Sequence, residues 1–418
     1  MESSGQERYM IEVEEALRLI GQAFEHSGAL VGSEDMALEA ALGRVLGAPV
    51  DCRLDHPGFD QSAMDGIAFL GASGGRLRVV GTVAAGDPPD QLMPGPGECV
   101  RIMTGAPVPS STDTVEMVEQ VRFETETDEA GNPYEIAVLE GEIHGGRHIR
   151  RQGENARAGE PLYPEGTLVR AGELGGLLSQ GVRRVRVRRK IRIGIATTGD
   201  EVVPYHRPLA PGQIYNTNAL ALAGLLEAPS VEIVQLGVFP DDLAQTRACL
   251  EVNTDLDVLV LTGGVSMGRF DFVPEAAERA GFVPQFHKVR MKPGKPVWFG
   301  RHPEGTFLFG LPGNPVSAMV GTLLYVTPLV RALATGSFRE PLWTTMPLAT
   351  ACANRARFPF FAGGSFTPTP TGLCVTPLPT SGSGDVIRFS HWETLIRLPP
   401  SAEFESDTPV QVLLPFPK

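Results

Sequence analysis

The sequence predicts a multidomain chain of the α/β plus β class, with one open, mostly parallel α/β domain and a small C-terminal β domain. Predicted strands and helices alternate from residue 191 to about residue 334, and short β-type segments broken by glycine and proline lie on both sides of that stretch. The 48 glycines and 36 prolines follow no Gly-X-Y period, so they indicate loops and turns rather than collagen. A length of 418 residues corresponds to about two to four domains.

The overall composition disfavours several classes of protein. Hydrophobic residues make up 42% of the chain and charged residues 20%, which is typical of a folded, soluble protein rather than a disordered one. The net charge of −13 disfavours a general nucleic-acid binder, which usually carries a basic excess. Five scattered cysteines without a C-x-x-C pair favour a reducing compartment. We therefore predict a cytoplasmic protein.

No membrane segment or signal peptide is predicted. The N-terminal region lacks a basic stretch followed by an apolar one, as a signal peptide requires. Residues 311–330 form an uncharged run of membrane length, but the run contains Pro312, Pro315 and Pro328. We expect its helical part to be too short to cross a bilayer.

The elements before the α/β stretch are predicted in order. Apolar spacing over residues 12–23 predicts one helix, and Ser33 followed by Glu34 predicts a second that ends near Leu42. Residues 49–164 predict a small barrel or a set of irregular sheets. A basic strand follows, with seven cations among residues 183–192. Alternating apolar residues favour a solvent-facing strand edge there, and an anion-binding strip is the alternative.

The α/β stretch predicts four strands and three helices. The predicted strands are IRIGIA, VEIVQLGVF, LDVLVL and TFLFG, and the predicted helices are NALALAGLLEA, DDLAQTRACLEV and VSAMVGTLLYVTPLVRALA. Asn218 is a plausible N-cap of the first helix, and Asp241 could cap the second. Nearly continuous apolar strands are expected where a parallel sheet is buried on both faces.

Three loops follow predicted parallel strands, at the edge where ligands bind in open α/β sheets. The loops contain Thr198, Gly199, Asp200 and Glu201; Gly263, Gly264 and Ser266; and Pro312, Gly313, Asn314 and Pro315. Glycine lets backbone N–H groups approach an anion. Behind Pro315, the N–H groups of Val316, Ser317 and Ala318 are predicted to point toward a bound anion. Each loop alone could be a plain turn, but three at one edge predict a phosphate-bearing ligand.

Charged residues near these loops suggest a magnesium-dependent phosphoester or nucleotide site. Compact ammonium groups suit an oxyanion, and carboxylates suit a hydrated magnesium ion. The lysines are Lys288, Lys292 and Lys295, and the acids are Asp200, Glu201, Asp241, Asp242 and Asp271. For the lysines alone, a solvated loop is an equal alternative. The histidines lack ligand spacing, so no histidine metal site is predicted.

A second group of polar residues lies before the α/β stretch. Asp60 and Asp65 flank a turn of small residues, and Thr104 precedes a glycine. Arg150, Glu154 and Asn155 lie in a further loop. We interpret these residues as a second side of the same pocket.

Eight motifs together resemble a known family. In order they are DQSAMDGIA, RIMTGAPVP, RRQGEN, TTGDE, GQIYNTN, TGGVSMG, KPGKP and LPGNPVSA. This order is similar to that of the molybdopterin molybdenumtransferases, which include the E domain of gephyrin. The resemblance implies an elongated chain of four domains: a discontinuous linker and dimerisation domain (7–60 and 146–188), an inserted β-rich domain (61–145), an α/β molybdopterin-binding domain (189–334) and a C-terminal β domain (335–418).

The resemblance also implies the reaction and the partners. Adenylylated molybdopterin and molybdate would give molybdenum cofactor and AMP, assisted by Mg²⁺ or another divalent metal. A homodimer is implied, with each pocket built from both chains, and an adenylyltransferase and recipient molybdoenzymes are possible partners. Tungstate is an alternative oxyanion. No nucleic-acid or membrane partner is expected.

Site residues follow from the same resemblance. The implied catalytic residues are Asp60, Asp65, Thr104, Asn155, Glu201, Asp241 and Asp271, of which Glu201, Asp241 and Asp271 would bind the metal. The implied substrate-binding residues are Arg150, Thr198, Gly199, Asp200, Gly263, Gly264, Ser266, Lys288, Lys292, Lys295, Pro312, Gly313, Asn314, Pro315 and Ser317.

The chain departs from the family pattern at three positions. Asn155 stands where the family usually has aspartate, Asn216 where aspartate is common, and Ile67 where tyrosine is usual. An amide cannot replace the charge of a carboxylate, so Asn155 supports an alternative: a catalytically weakened paralogue that carries molybdopterin or its cofactor, or serves as a scaffold. A third possibility, an unrelated nucleotide enzyme that shares only the α/β domain, would not explain the motifs before residue 189.

Overall fold

The computed structural model describes residues 10–28, 31–71, 75–140, 145–266, 271–370 and 372–414. The chain divides into two compact units. Unit 1 comprises Met1–Ala48, Gly166–Leu174 and Arg184–Lys418, and unit 2 comprises Pro49–Glu165 and Gly175–Arg183. The four-domain boundaries remain a prediction.

Apart from α1, which has 15 residues, the described helices have ten residues or fewer. They are α1 (Val13–Ser27), α2 (Ala171–Ser179), α3 (Thr217–Leu226), α4 (Leu243–Glu251), α5 (Val273–Arg279), α6 (Pro315–Gly321), α7 (Thr327–Thr335) and α8 (Val386–Phe389). Short 3-10 turns occupy Leu38–Ala40 and Val118–Gln120, and a π turn, Thr322–Val326, joins α6 to α7.

The described strands, in chain order, are β1 (Ser33–Ala37), β2 (Val50–Asp51), β3 (Gln61–Ser62), β4 (Gly66–Phe69), β5 (Arg76–Val83), β6 (Glu98–Ile102), β7 (Thr114–Met117), β8 (Val121–Thr127), β9 (Pro133–Leu139), β10 (Ile149–Arg150), β11 (Pro161–Tyr163), β12 (Arg184–Arg188), β13 (Ile191–Thr198), β14 (Val202–Val203), β15 (Ile214–Tyr215), β16 (Val231–Phe239), β17 (Val258–Thr262), β18 (Val283–His287), β19 (Trp298–Arg301), β20 (Phe307–Leu311), β21 (Trp343–Pro347), β22 (Cys352–Asn354), β23 (Phe360–Thr369), β24 (Gly372–Pro377), β25 (Thr394–Leu398), β26 (Ala402–Phe404) and β27 (Pro409–Leu413).

The α/β sheet of unit 1 has six strands in the order β16-β13-β17-β20-β19-β18. The first four are parallel, and β19 and β18 add antiparallel pairs at one side. Val258 and Val260 of β17 join one buried core, whereas Leu259 and Leu261 join another. Both faces are therefore covered, which explains the apolar run of this strand. The predicted open, mostly parallel α/β arrangement is confirmed.

Helix caps in this sheet differ from the predicted ones. The N-cap of α3 is Asn216, whose side chain accepts a hydrogen bond from Ala219, so the prediction of Asn218 as the cap was wrong. The N-cap of α4 is Asp242, which accepts from Gln245. Asp241 therefore does not cap its helix.

Residues 315–335 form one helical stretch, which confirms the predicted helix VSAMVGTLLYVTPLVRALA, but its 21 residues contradict the expectation that the helical part is too short to cross a bilayer. The π turn and α7 continue directly from α6, and Pro328 lies at the start of α7. Among the described residues, this is the one helix long and apolar enough to cross a membrane, and 83% of its most apolar window is buried inside the protein. The stretch is a core helix, and its prolines fit because one lies at its first residue and the other follows the π turn.

The N-terminal part of unit 1 corrects another prediction. Ser33–Ala37 is strand β1 rather than a helix, and it pairs antiparallel with the basic strand β12. The cations of this region bind acids: Arg186 contacts Asp35, and Arg189 contacts Asp257. These contacts favour the solvent-facing strand edge over an anion-binding strip.

Small sheets complete both units. The C-terminal part of unit 1 forms a five-stranded sheet, β21-β27-β25-β23-β24, and a two-stranded sheet, β22-β26. Unit 2 contains a six-stranded sheet, β7-β4-β6-β5-β9-β8, with the two-stranded sheets β10-β3 and β11-β2. Only β5 and β6 of that six-stranded sheet pair in parallel. This matches the predicted set of irregular sheets.

Candidate functional site

Three of the predicted loops leave adjacent strands of the α/β sheet. β13 pairs with β17 and β17 with β20, and Thr197, Thr262 and Leu311 stand side by side in the register. Because the strands are parallel, the loops after them lie at one edge of the sheet. β16 also pairs with β13, so the loop that carries Asp241 and Asp242 reaches the same edge.

The glycines of the second loop allow it to approach the first. Gly263 and Gly264 have φ values of 95° and 64°, in the left-handed region that favours glycine. A Cβ at Gly263 would lie 2.6 Å from the hydroxyl oxygen of Thr198. Any side chain there would collide with Thr198, so the close contact requires glycine.

The end of the second loop is held from β18. Nε2 of His287 lies 3.0 Å from the carbonyl oxygen of Val265. A carbonyl only accepts, so Nε2 carries the proton in this contact. Burial lowers the pKa of His287, which favours the neutral ring. Ser266 is exposed, and the last two residues of the predicted motif, Met267 and Gly268, lie outside the described residues.

Acidic side chains from two other loops lie near Asp241. Burial raises the pKa of Asp241, and the charges of Asp200, Glu201 and Asp271 raise it further. The N–H of Asp241 also donates to the Asp200 carboxylate at 3.2 Å. Across the described ranges, no three His, Cys, Asp or Glu residues form a group ready to hold a metal ion. The acids are therefore near enough to repel one another but do not enclose a cation.

The third loop is less open to an anion than predicted. The N–H of Val316 donates to the carbonyl of Ser383 at 3.0 Å, and the N–H of Ala318 donates to the carbonyl of Asn314 at 3.0 Å. The prediction that all three N–H groups point toward an anion was therefore wrong for Val316 and Ala318. Pro315 does occupy the first helical position of α6.

Two of the predicted lysines lie over aromatic rings. Nζ of Lys292 is 5.5 Å from the ring centre of Phe360, and Nζ of Lys295 is 5.8 Å from that of Phe358. A cation over an aromatic face is attracted by the ring and held in place without losing its charge. Both lysines are exposed, so their ammonium groups are accessible to an anion.

The turn that carries these lysines lies against the third loop. A Cβ at Gly294 would be 3.4 Å from the carbonyl oxygen of Ser317. Lys288 has a φ of 77°, and its N–H donates to the carbonyl of Val297 at 2.8 Å. The structure thus places Lys292 and Lys295 beside the first turn of α6, whereas Lys288 lies at the end of β18.

The predicted residues of unit 2 form local pairs. The N–H and hydroxyl of Thr104 donate to Oδ1 of Asp65 at 2.6 and 2.8 Å. These two bonds lower the pKa of Asp65. Arg151 binds Asp60 at 2.5 Å, and the N–H of Gln152 donates to the same carboxylate at 2.8 Å. Unit 2 therefore brings Asp65 together with Thr104, and Asp60 together with the Arg150–Asn155 loop.

Asn155 and Glu154 differ in their contacts. Glu154 accepts from Nε of Arg150 at 3.0 Å and from the N–H of Arg151 at 2.9 Å. Asn155 is exposed, and within the described residues its side chain makes no hydrogen bond. Because both oxygens of Glu154 accept hydrogen bonds within its own turn, Glu154 does not substitute for a carboxylate at position 155.

Sequence reasoning missed the polar residues behind the loops. Thr262 donates to Thr197 at 3.2 Å, and Thr197 donates to Asn216 at 3.0 Å. Asn218 donates to the carbonyl of Gly313 at 2.9 Å. The two asparagines of the NTN motif were the available signal. From the sequence, however, Asn218 is predicted as a helix cap and Asn216 is treated as a departure from the family pattern.

Comparisons with known proteins show which family the chain resembles. Residues 11–181 match the family described as MoeA N-terminal region (domain I and II), and residues 194–332 match the one described as probable molybdopterin binding domain. The chain is 34% identical to a molybdopterin molybdenumtransferase of Synechococcus elongatus over 88% of this chain and 91% of that protein. It is 32% identical to one of Bacillus subtilis over 98% and 95%.

Solved structures show the same fold. The chain is similar to the molybdopterin biosynthesis MoeA protein of Pyrococcus horikoshii, with a TM-score of 0.75 and 26% identity. The similarity covers 97% of this chain and 99% of that one. The order of elements in both units is therefore shared with that protein over nearly the full length.

Proposed function

This chain belongs to the molybdopterin molybdenumtransferase family, and from that premise we propose that it inserts molybdate into adenylylated molybdopterin, with release of AMP. The observation that carries the proposal is the sheet edge of unit 1, where glycine loops, lysines and acids meet. In the overall reaction, the phosphoanhydride bond to AMP is cleaved and the two dithiolene sulfurs of the pterin replace two oxygens of molybdate. One of these oxygens is balanced by the oxygen that a phosphate gains on cleavage, and the other leaves as water. The protein thus acts in molybdenum cofactor biosynthesis as a transferase.

The acids around Asp241 support a divalent metal at this edge. Carboxylate oxygens are the ligands that Mg²⁺ prefers, and a cation would relieve the repulsion that raises the pKa of Asp241. Glu201, Asp241 and Asp271 are the residues that would hold the metal, and they would have to move closer together to enclose it. When bound, Mg²⁺ neutralises charge on the phosphoanhydride.

The lysine turn and the third loop support recognition of anions. Lys292 and Lys295 present ammonium groups beside the first turn of α6, where Ser317 lies. Gly263 and Gly264 allow a close approach of backbone to phosphate. These features suit the phosphate groups of the substrate and the tetrahedral molybdate.

We further propose that unit 2 contributes to the pocket through a homodimer. Asp65 and Thr104 form a fixed pair with a carboxylate at its centre, and Asp60 is bound by Arg151. The family resemblance supports a pocket in which these residues come from one chain and the α/β edge from the other. A cytoplasmic location is part of the same proposal.

AMP release tests the proposed function. Purified protein with Mg²⁺ and adenylylated molybdopterin is incubated with molybdate, with tungstate or with neither, and AMP and the metal content of the pterin are measured. We expect AMP release that depends on an oxyanion, together with metal bound to the pterin. An equal rate of AMP release with and without an oxyanion would indicate a hydrolase and contradict the proposal.

Asn155 supports one alternative function. Its amide stands where the family usually has a carboxylate, and in the described residues its side chain has no partner. A carrier or scaffold protein would bind adenylylated molybdopterin without releasing AMP. Rescue of molybdoenzyme activity in a mutant that lacks molybdate insertion would exclude this alternative.

A further inference from the structure

The first turn of α3 connects the predicted loops through hydrogen bonds. The buried hydroxyl of Thr262 donates to that of Thr197, and Thr197 donates to Oδ1 of Asn216. The same Oδ1 accepts from the N–H of Ala219 at 3.1 Å. Asn216 thereby fixes the start of α3 to the ends of β13 and β17.

Asn218, two residues later, reaches the third loop. Its Nδ2 donates to the carbonyl oxygen of Gly313 at 2.9 Å, and the residue is only 4% exposed. Its Oδ1 is buried, and among the described residues no group donates to it. Rotating the amide by 180° would place Oδ1 against the carbonyl oxygen of Gly313, so the orientation of the amide follows from the contact.

Apart from its contact with Gly313, Asn218 makes no contact that requires asparagine at this position. Asn216 already caps the helix, and Asn218 is the second residue of α3, where leucine or alanine favours the helix more. A buried acceptor without a donor is unfavourable for folding. The residue therefore lowers stability, and its contact with Gly313 is the compensating feature.

Gly313 lies at the point where two loops meet. A Cβ on Gly313 would be 3.5 Å from the Cα of Gly263, so the loops after β17 and β20 are in van der Waals contact. The N–H of Gly263 also donates to the carbonyl of Leu311 at 3.0 Å. The position of Gly313 thus sets the separation between the glycine loop and the Pro312–Pro315 segment.

We propose that Asn218 is a positioning residue for substrate binding: it holds the carbonyl of Gly313 so that the 312–315 loop keeps its place beside Gly263. This inference rests on the proposed function, because the substrate is taken to be adenylylated molybdopterin. Asn218 acts through Gly313 and does not itself touch the substrate. Loss of its Nδ2 donor should weaken ground-state binding, which raises KM, and should leave kcat nearly unchanged.

The test compares Asn218→Asp with Asn354→Asp. Asn354 is also buried, and its Nδ2 donates to the carbonyls of Phe358 and Pro399, both at 2.9 Å, in the C-terminal part of unit 1. Both substitutions keep the shape and remove the donor. We expect Asn218→Asp to raise KM for adenylylated molybdopterin about tenfold, with kcat within about twofold. Asn354→Asp should lower Tm and leave KM unchanged.

Hydrogen exchange of residues 307–318 gives a second readout that needs no activity. We expect faster exchange of this segment in Asn218→Asp than in the natural protein, and no change there in Asn354→Asp. If Asn218→Asp does not fold, Asn218→Leu removes the same donor without adding a charge and enters both assays.

The outcomes separate the two proposals. Unchanged KM and unchanged exchange in a folded Asn218 variant would overturn the positioning role. A fall in kcat that only follows a fall in Tm, as a structural residue would give, would also overturn it. If the natural protein releases no AMP with either oxyanion, the proposed function fails, and the exchange of residues 307–318 still decides whether Asn218 positions the loop.

Discussion

Asp241 in unit 1 and Asp65 in unit 2 are both carboxylates that the family resemblance assigns to catalysis, yet their surroundings shift their pKa values in opposite directions. Burial and neighbouring acids raise the pKa of Asp241. Hydrogen bonds from Thr104 lower that of Asp65. A carboxylate among like charges is suited to bind a cation, whereas one with two donors is already satisfied and keeps a fixed shape. The acids at the α/β edge are thus suited to bind a cation, whereas the Asp65–Thr104 pair is already held by its own hydrogen bonds.

Asn substitution at Asp241 gives the largest expected effect. Asp241→Asn should lower AMP release by at least about 100-fold, because a neutral oxygen binds a hard cation less well. Metal-free Asp241→Asn should nevertheless melt at a higher temperature at pH 7, since the raised pKa means that the charged form of Asp241 destabilises the fold. That gain should shrink as the pH falls through the raised pKa and disappear below the ordinary value of 3.8, where the natural carboxyl is protonated in both states.

Asp242→Asn is the matched control for this prediction. Asp242 is adjacent but caps α4, and asparagine caps a helix about as well as aspartate. Its activity and melting temperature should both stay near those of the natural protein. A metal-free Asp241→Asn protein that melts lower than Asp242→Asn at pH 7 would contradict the account of repelling acids.

Subunit mixing tests whether the two regions act in one pocket across a dimer. Glu201→Ala disables the α/β edge of one chain, and Asp65→Ala disables unit 2 of the other. If each pocket uses both chains, a mixed dimer keeps one intact pocket, and random exchange should restore up to about a quarter of the natural AMP release. No restoration, after subunit exchange has been demonstrated by mass spectrometry, would argue against a shared pocket.

Asp65→Asn should change stability in the opposite direction to Asp241→Asn. The lowered pKa of Asp65 stabilises the fold above the ordinary value of 3.8, and this contribution is lost as the pH falls through the lowered pKa. Asp65→Asn should therefore melt below the natural protein at pH 7, with a difference that shrinks only at the acidic end. Melting curves from pH 7 to well below the ordinary value of 3.8 measure it. An equal or higher melting temperature at pH 7 would show that the Thr104 bonds do not stabilise the fold.

The two regions also differ in what the sequence could predict. Alternating apolar strands and helices were sufficient for the α/β sheet, because residues such as Val258 and Leu259 face buried cores on both sides. The strand Ser33–Ala37 was missed because its partner β12 lies about 150 residues away, and only the pairing defines it.

Long-range contacts also explain the errors at the site. The sequence around Val316 offers no partner for its N–H. The partner is the carbonyl of Ser383, in the C-terminal part of the chain, which accepts a hydrogen bond from this N–H. Asn218 was predicted as the N-cap because of its residue type and position. Asn216, two residues earlier, is the N-cap instead, and Asn218 donates to the carbonyl of Gly313. Residue types at the site were predictable from motifs, whereas their partners depended on distant segments.

The smallest expected effect concerns Asn155, which lies in unit 2 together with Asp65. Glu154 is held by Arg150 and by the N–H of Arg151, so it does not supply the charge that an aspartate at 155 would bring. Asn155→Asp should therefore lower the Mg²⁺ or molybdate concentration needed for half-maximal AMP release by about threefold, with no change in melting temperature because the side chain is exposed. Glu154→Gln should weaken the turn equally in the natural and Asn155→Asp backgrounds. If Asn155→Asp leaves both concentration dependences unchanged, the missing carboxylate at this position does not limit the reaction, and the carrier alternative loses its support.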